Sequence, residues 1–229
     1  MLIDSRKWQI DARHKGLEAE PLVIIDNFLV DAQRLIDEAA RMSFTPMAAY
    51  YPGVRAPTSS GVRHEVIRAL LPVFTTHFDI RENIDVQSLV YSLATTPAEA
   101  LAPIQRLPHY DGVEPGRLAF VLYLCDERHG GTGFYRHRST GFETVSSERY
   151  ATFSTALQRD VATHGLPPAQ YIVGDTPIYA RIDGSAAVFN RALVYRGRNL
   201  HSADIGPEAH LSADPRRGRL TLNGFLTGR

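Results

Sequence analysis

From residue 117 onward the chain is a run of short apolar segments cut by turn residues, and no other feature constrains the fold as much. RLAFVLYLCD (117–126) is almost continuously apolar, the pattern of a central strand covered on both faces. ERHGGTGFYRHRSTGFE then turns and extends again. YIVGDT, RIDGSAAVFN, ALVYRGRNLHSAD and RLTLNGFL follow as short strands separated by turn residues. Strands this short must bury their apolar faces against a second sheet, so a sandwich or jelly roll is expected. One helical stretch interrupts them, SSERYATFSTALQRDVATHG, which breaks at Gly165 and Pro167-Pro168.

The first part of the chain is mixed. PLVIIDNFL (21–29) has the β-branched composition of a strand, and VDAQRLIDEAARM sets Ala32, Leu35, Ile36, Ala39 and Met42 at helical spacing. SFTPMAAYYPGVRAPTSSG (43–61) is a loop by composition, in which Tyr50 and Tyr51 either line a site or pin the loop. HEVIRALLPVFTTHFDI (64–80) starts as a helix that Pro72 is expected to interrupt. DVQSLVYSLAT (85–95) alternates like a strand. No composition shift divides the chain, so residues 1–229 read as one domain, with 1–84 supporting a β core at 85–229. The expected class is mainly β (α+β), with the N-terminal helices packed on the sheet.

Composition excludes several functions. Lys+Arg and Asp+Glu both number 25, so net charge is +0 and bulk binding of duplex nucleic acid is not expected. No run of about 18 apolar residues marks a membrane span. The segment MLIDSRKWQIDARHK lacks the apolar core of a secretory signal. Cys125 is the sole cysteine, so no intramolecular disulfide forms, and a cytoplasmic location is expected.

The chemistry concentrates in LPHYDG (107–112). His109 and Asp111 are two residues apart, which on an extended segment points both to one face. His201, in NLHSAD, follows another strand-like run. Two imidazoles and one carboxylate on one face of a metal, with the other positions open, form the facial triad of non-haem Fe(II) oxygenases. Downstream, Arg219 and Thr221 share strand parity. An arginine fork with a neighbouring hydroxyl would hold the distal carboxylate of 2-oxoglutarate; Arg217, of the same parity, is the rival.

These elements occur in a fixed order. His109-Tyr-Asp111 comes first, then LAFVLYL, GGTGFY, GSAAVF, His201, and finally Arg219-x-Thr221. Over roughly residues 85–229 this resembles the 2-oxoglutarate/Fe(II)-dependent dioxygenase superfamily, nearest its prolyl-4-hydroxylase-like branch. The resemblance implies a double-stranded β-helix (jelly roll, cupin-like), with Fe(II) held by His109, Asp111 and His201. It also implies 2-oxoglutarate held by Arg219 with Thr221, and a tyrosine touching the co-substrate, for which Tyr91 and Tyr123 are the candidates. Such enzymes use O2 to convert 2-oxoglutarate to succinate and CO2 while usually hydroxylating a substrate, here an amino acid, a peptide or another small molecule. The chain departs from the pattern in the long interval from His201 to Arg219, where 204–215 reads as an inserted loop that keeps Arg217 in play.

Plainer readings stand beside these. A cupin-like metal protein would bind metal without 2-oxoglutarate, and a non-catalytic jelly-roll module would need neither. His129 and His137 are expected as exposed loop residues, Cys125 as a small core residue, and Gly130-Gly131 as a turn. Arg136, Arg138, Arg191, Arg196 and Arg198 form either a solvated face or a basic rim. Trp8 is a peg onto the domain or an oligomer contact, and a homodimer is the plain prior. Substrate selection is expected from loops within 45–60, 95–106 and 127–150.

Overall fold

The computed structural model describes residues 2–47 and 50–229. The order is β1 (Gln9–Lys15), β2 (Glu20–Asp26), α1 (Gln33–Ala39), β3 (Gly53–Pro57), α2 (Ser60–Phe78), β4 (Asp85–Ala94), β5 (Arg117–Tyr123), β6 (Gly131–His137), α3 (Tyr150–His164), β7 (Tyr179–Ala186), β8 (Ala192–Arg196), β9 (His201–Asp204) and β10 (Arg219–Thr227). Two antiparallel sheets result. The larger runs β1-β2-β8-β5-β10-β4-β3, the smaller β7-β6-β9. A single bridge between His109 and His201 adds the 109 segment beside β9. From β4 onward the chain thus crosses between the sheets at each step except the paired β6 and β7, which is the winding of a double-stranded β-helix. β1 and β2 extend the larger sheet beside β8, and β3 extends it beside β4.

The apolar run at 117–126 has two covered faces, as its composition requires. Leu118, Phe120, Leu122 and Leu124 face the helices. Ala119, Tyr123 and Cys125 face the space between the sheets, with Phe134, Leu193 and Tyr195. On the helix side, α2 buries Val62, Val66, Leu70, Val73, Phe74 and Phe78, one stripe at helical spacing. Each is worth about 2 kcal/mol of burial, so this stripe is what docks the helix. α1 adds Leu35, Ile36 and Ala39. α3 covers the outer face of the smaller sheet, with Phe153 against Tyr135, Ile178 and Tyr179.

Three expectations need correction. Pro72 does not interrupt α2. It lies on the solvent side with Arg68, whose carbonyl loses its helical donor to water rather than to the core. The stretch 43–61 is not all loop. It contains β3, whose Arg55 exchanges both backbone hydrogen bonds with Thr45, each at 2.9 Å. YIVGDT forms no strand, although Tyr171 and Ile172 are buried. β1 forms despite its charges because it lies at the sheet edge, paired with β2 from Gln9↔Asp26 to Lys15↔Glu20. Trp8 acts as a peg: its ring stacks on Phe28 at 5.2 Å and its indole N–H donates to the Phe28 carbonyl at 2.9 Å. Among the described residues, no helix is long and apolar enough to cross a membrane.

Candidate metal centre

Backbone pairing brings the three candidate ligands together. His109 N–H donates to the His201 carbonyl and His201 N–H to that of His109, both at 2.8 Å. Residues exchanging both bonds sit directly opposite, about 5.5 Å apart at Cα, and here the imidazole centroids are 4.3 Å apart. Two residues on, Asp111 N–H donates to the Gly197 carbonyl at 2.7 Å, which turns its carboxylate to the same side. His201 Nε2 lies 3.3 Å from Asp111 Oδ2, and His109 Nε2 lies 3.8 Å from Asp111 Oδ1. One ligand atom from each residue fits within 4.8 Å of the others. Ligand bonds of about 2.1 Å at right angles would set such atoms about 3 Å apart, so the triad needs only slight closure to hold an ion.

The contacts around the ligands suit a metal. His201 Nδ1 donates to the Asn199 carbonyl at 2.8 Å, which fixes the ring and aims Nε2 at Asp111. Phe134 and Tyr195 box the His201 ring, with Tyr195 edge-on at 4.9 Å. His109 is more open. Even so, desolvation by its surroundings, aided by the His201 ring, pushes it down to about 4, a neutral imidazole at pH 7. Burial of Asp111 opposes its charge, but the neighbouring His201 and His109 rings and the Arg117 guanidinium together hold it below the usual carboxylate range. Asp111 Oδ2 is buried without a hydrogen-bond partner among the described residues, an orphaned acceptor of the kind a cation satisfies.

Arg219 lies on the larger sheet facing the smaller one, only 5% exposed. Its Nε donates to the His129 carbonyl at 3.0 Å and its Nη2 to that of Gly131 at 2.7 Å. Gly130 and Gly131 let this turn pass close to its neighbouring strands: Gly130 has φ +94°, and a Cβ on Gly130 would strike the Asp204 backbone and one on Gly131 the Ser185 backbone. No carboxylate pairs with Arg219 among the described residues. Thr221 is buried and in register with Tyr123, whose hydroxyl bonds Thr132 Oγ1 at 2.6 Å. The Tyr123 ring centre is 5.9 Å from the Arg219 guanidinium.

Two other candidates lie elsewhere. Tyr91 is in register with Leu222 and belongs to the core beneath the helices, on the opposite sheet face from Thr221. Arg217 is exposed, and its backbone carbonyl accepts from His129 Nε2 at 3.0 Å. Nor are His129 and His137 free loop residues. His129 is half-buried, and His137 is fully buried, with Nδ1 2.9 Å from Thr140 Oγ1 and Nε2 3.3 Å from Asp160. The supposed basic rim is neutralised by pairs: Arg136 with Glu143, Arg138 with Asp175, Arg191 with Asp26, and Arg196 and Arg198 with Glu20.

Sequence reasoning missed Arg55. Cross-strand register aligns Arg55, Ser92, Thr221 and Tyr123 in one row across β3, β4, β10 and β5. Tyr51 covers Arg55, with the guanidinium 4.2 Å from the ring centre. The only signal was local, an aromatic pair shortly before an arginine in a Pro-Gly-rich stretch, and composition masked it.

The class this fold and winding define is a mainly β double-stranded β-helix. Residues 6–226 match the family described as "Family of unknown function (DUF6445)", and the chain belongs to that family. No curated protein matches it. Among solved structures, it is similar to HygX from Streptomyces hygroscopicus with nickel and 2-oxoglutarate bound, at 11% identity and TM-score 0.53, covering 92% of this chain and 84% of that one. The HygX structure that also holds hygromycin B gives 12% identity and TM-score 0.54 with the same coverage. EvdMO1 aligns at 12% identity and TM-score 0.48, over 96% of this chain and 55% of that one. At 11–12% identity the likeness to HygX establishes a shared fold.

Proposed function

We propose that this protein is a 2-oxoglutarate- and Fe(II)-dependent oxygenase that hydroxylates an amino-acid, peptide or other small-molecule substrate. The observation that carries the reading is the His109, Asp111 and His201 cluster, with ligand atoms within 4.8 Å of one another. Arg219, buried and without a carboxylate partner among the described residues, supports it. So does a fold shared with a structure that holds nickel and 2-oxoglutarate.

His109 and His201 would ligate through neutral imidazole nitrogens and Asp111 through carboxylate oxygen, a donor set suited to Fe(II). With its co-substrate and O2, that metal supplies the oxidation of a substrate C–H bond, with release of succinate and CO2. Asn199 fixes the His201 tautomer. Phe134 and Tyr195 keep water from that ring. Arg219 would bind the far carboxylate of 2-oxoglutarate, helped by the Thr221 hydroxyl. Its anchor at Gly131 lies three residues along β6 from Phe134, the partner of His201. That is a span of about 10 Å, room for a five-carbon diacid held at both ends.

Calorimetric titration of Mn(II), then of 2-oxoglutarate, tests the assignment. Wild type is expected to bind both in that order. His109→Ala should lose metal binding, and Arg219→Ala should keep the metal but bind 2-oxoglutarate 10- to 100-fold more weakly. Metal binding without any 2-oxoglutarate binding would replace this reading with the cupin-like one.

A further inference from the structure

A second arginine faces the same interior and has no place in the scheme above. Arg55 sits on edge strand β3, in register with Ser92, and through Ser92 with Thr221. Its Nε is buried and unpartnered among the described residues. So are the Tyr51 and Ser92 hydroxyls, which neighbour each other beside it. Three buried polar atoms thus lie without partners around one point, Arg55 Nε on β3, the Ser92 hydroxyl opposite it on β4, and the Tyr51 hydroxyl from the segment just before β3. A partly buried guanidinium without a carboxylate partner among the described residues is costly, and burial works against the charge of Arg55.

Charge counting points the same way. A divalent metal with Arg55 and Arg219, set against Asp111, leaves three positive charges. Dianionic 2-oxoglutarate neutralises two of them, and one remains, beside Tyr51.

We propose that Arg55, stacked under Tyr51 and flanked by Ser92, is an anchor for a carboxylate carried by the substrate, so that the substrate class is a carboxylate-bearing small molecule or peptide end. The guanidinium fork would donate two hydrogen bonds, and the two hydroxyls would supply the rest. The assignment to substrate rests on the oxygenase reading; the anion site itself does not.

Propionate serves as the probe, with propylamine as the cationic control. Both are titrated calorimetrically onto the protein, metal-free and after loading with Ni(II) and 2-oxoglutarate. Wild type is expected to bind propionate and not propylamine. Arg55→Gln should weaken propionate at least tenfold while leaving 2-oxoglutarate affinity within threefold, and Arg55→Lys should restore much of the loss. Circular dichroism checks that each variant is folded. Three outcomes overturn the proposal. They are no propionate binding to wild type, propionate affinity unchanged in Arg55→Gln, and a loss of 2-oxoglutarate affinity as large as in Arg219→Gln, which assigns Arg55 to the co-substrate. If Ni(II) and 2-oxoglutarate fail to bind while propionate binding still depends on Arg55, the oxygenase reading falls and the anion site stands.

Discussion

Lys15 is 3% exposed, with Nζ donating to Asn199 Oδ1 at 2.6 Å and lying 4.7 Å from the centre of the Phe134 ring. Desolvation pushes its pKa down to about 8, partly offset by Glu20 and Glu143. An unfolded lysine keeps its proton up to about 10.4. Between those values the unfolded chain holds more protons, so stability from this residue rises with pH, by about 1.4 kcal/mol per pH unit within that window. Urea denaturation of wild type and Lys15→Met at pH 7.5, 8.5 and 9.5 reads this as a gap that shifts toward wild type above pH 8. A gap that stays constant would contradict it. At this scale the sequence was legible where spacing carried the information. His109-x-Asp111 and Arg219-x-Thr221 share faces because period two leaves no other choice on extended backbone. Tyr91 and Tyr123 are indistinguishable by spacing, because choosing between them requires knowing which sheet face each strand turns inward. Arg55 was hidden for a related reason: β3 is an edge strand made by its pairing with β4, not by its own composition.

At the scale of elements, the β1–β2 turn is held by one buried carboxylate. Glu143 accepts from Leu17 N–H at 2.9 Å, from Glu18 N–H at 3.1 Å and from Arg136 Nε at 2.8 Å. Glu18 in turn binds Thr144 Oγ1 at 2.6 Å and pairs with Arg149 at 2.5 Å, fastening β1 and β2 to the segment before α3. Glu143→Ala leaves Arg136 and two amides unpaired, and should cost about 3–5 kcal/mol in chemical denaturation. A loss below about 1 kcal/mol would mean that water replaces the carboxylate without penalty. Legibility follows the same line. The apolar run of β5 and the stripe of α2 announce themselves because burial dictates them. β1 does not, since all its side chains but Lys15 are exposed or half-exposed and backbone pairing is what makes it a strand. Pro72 misled because its cost depends on which side of α2 it faces, a tertiary fact.

The whole molecule is a jelly roll whose two sheets bring to one interior a two-histidine, one-carboxylate cluster and two arginines, Arg55 and Arg219, that have no carboxylate partner among the described residues. The order of motifs made the fold legible. The share of the interior that is polar was not, because it depends on register across four strands. The most direct test of the central claim is the visible spectrum of the purified protein under anaerobic conditions, with Fe(II) added first and 2-oxoglutarate second. The account predicts a metal-to-ligand charge-transfer band that requires both additions, is absent in His109→Ala and is weakened in Arg219→Ala. A protein that binds Fe(II) tightly yet gives no band with 2-oxoglutarate, or that binds no Fe(II), would contradict it.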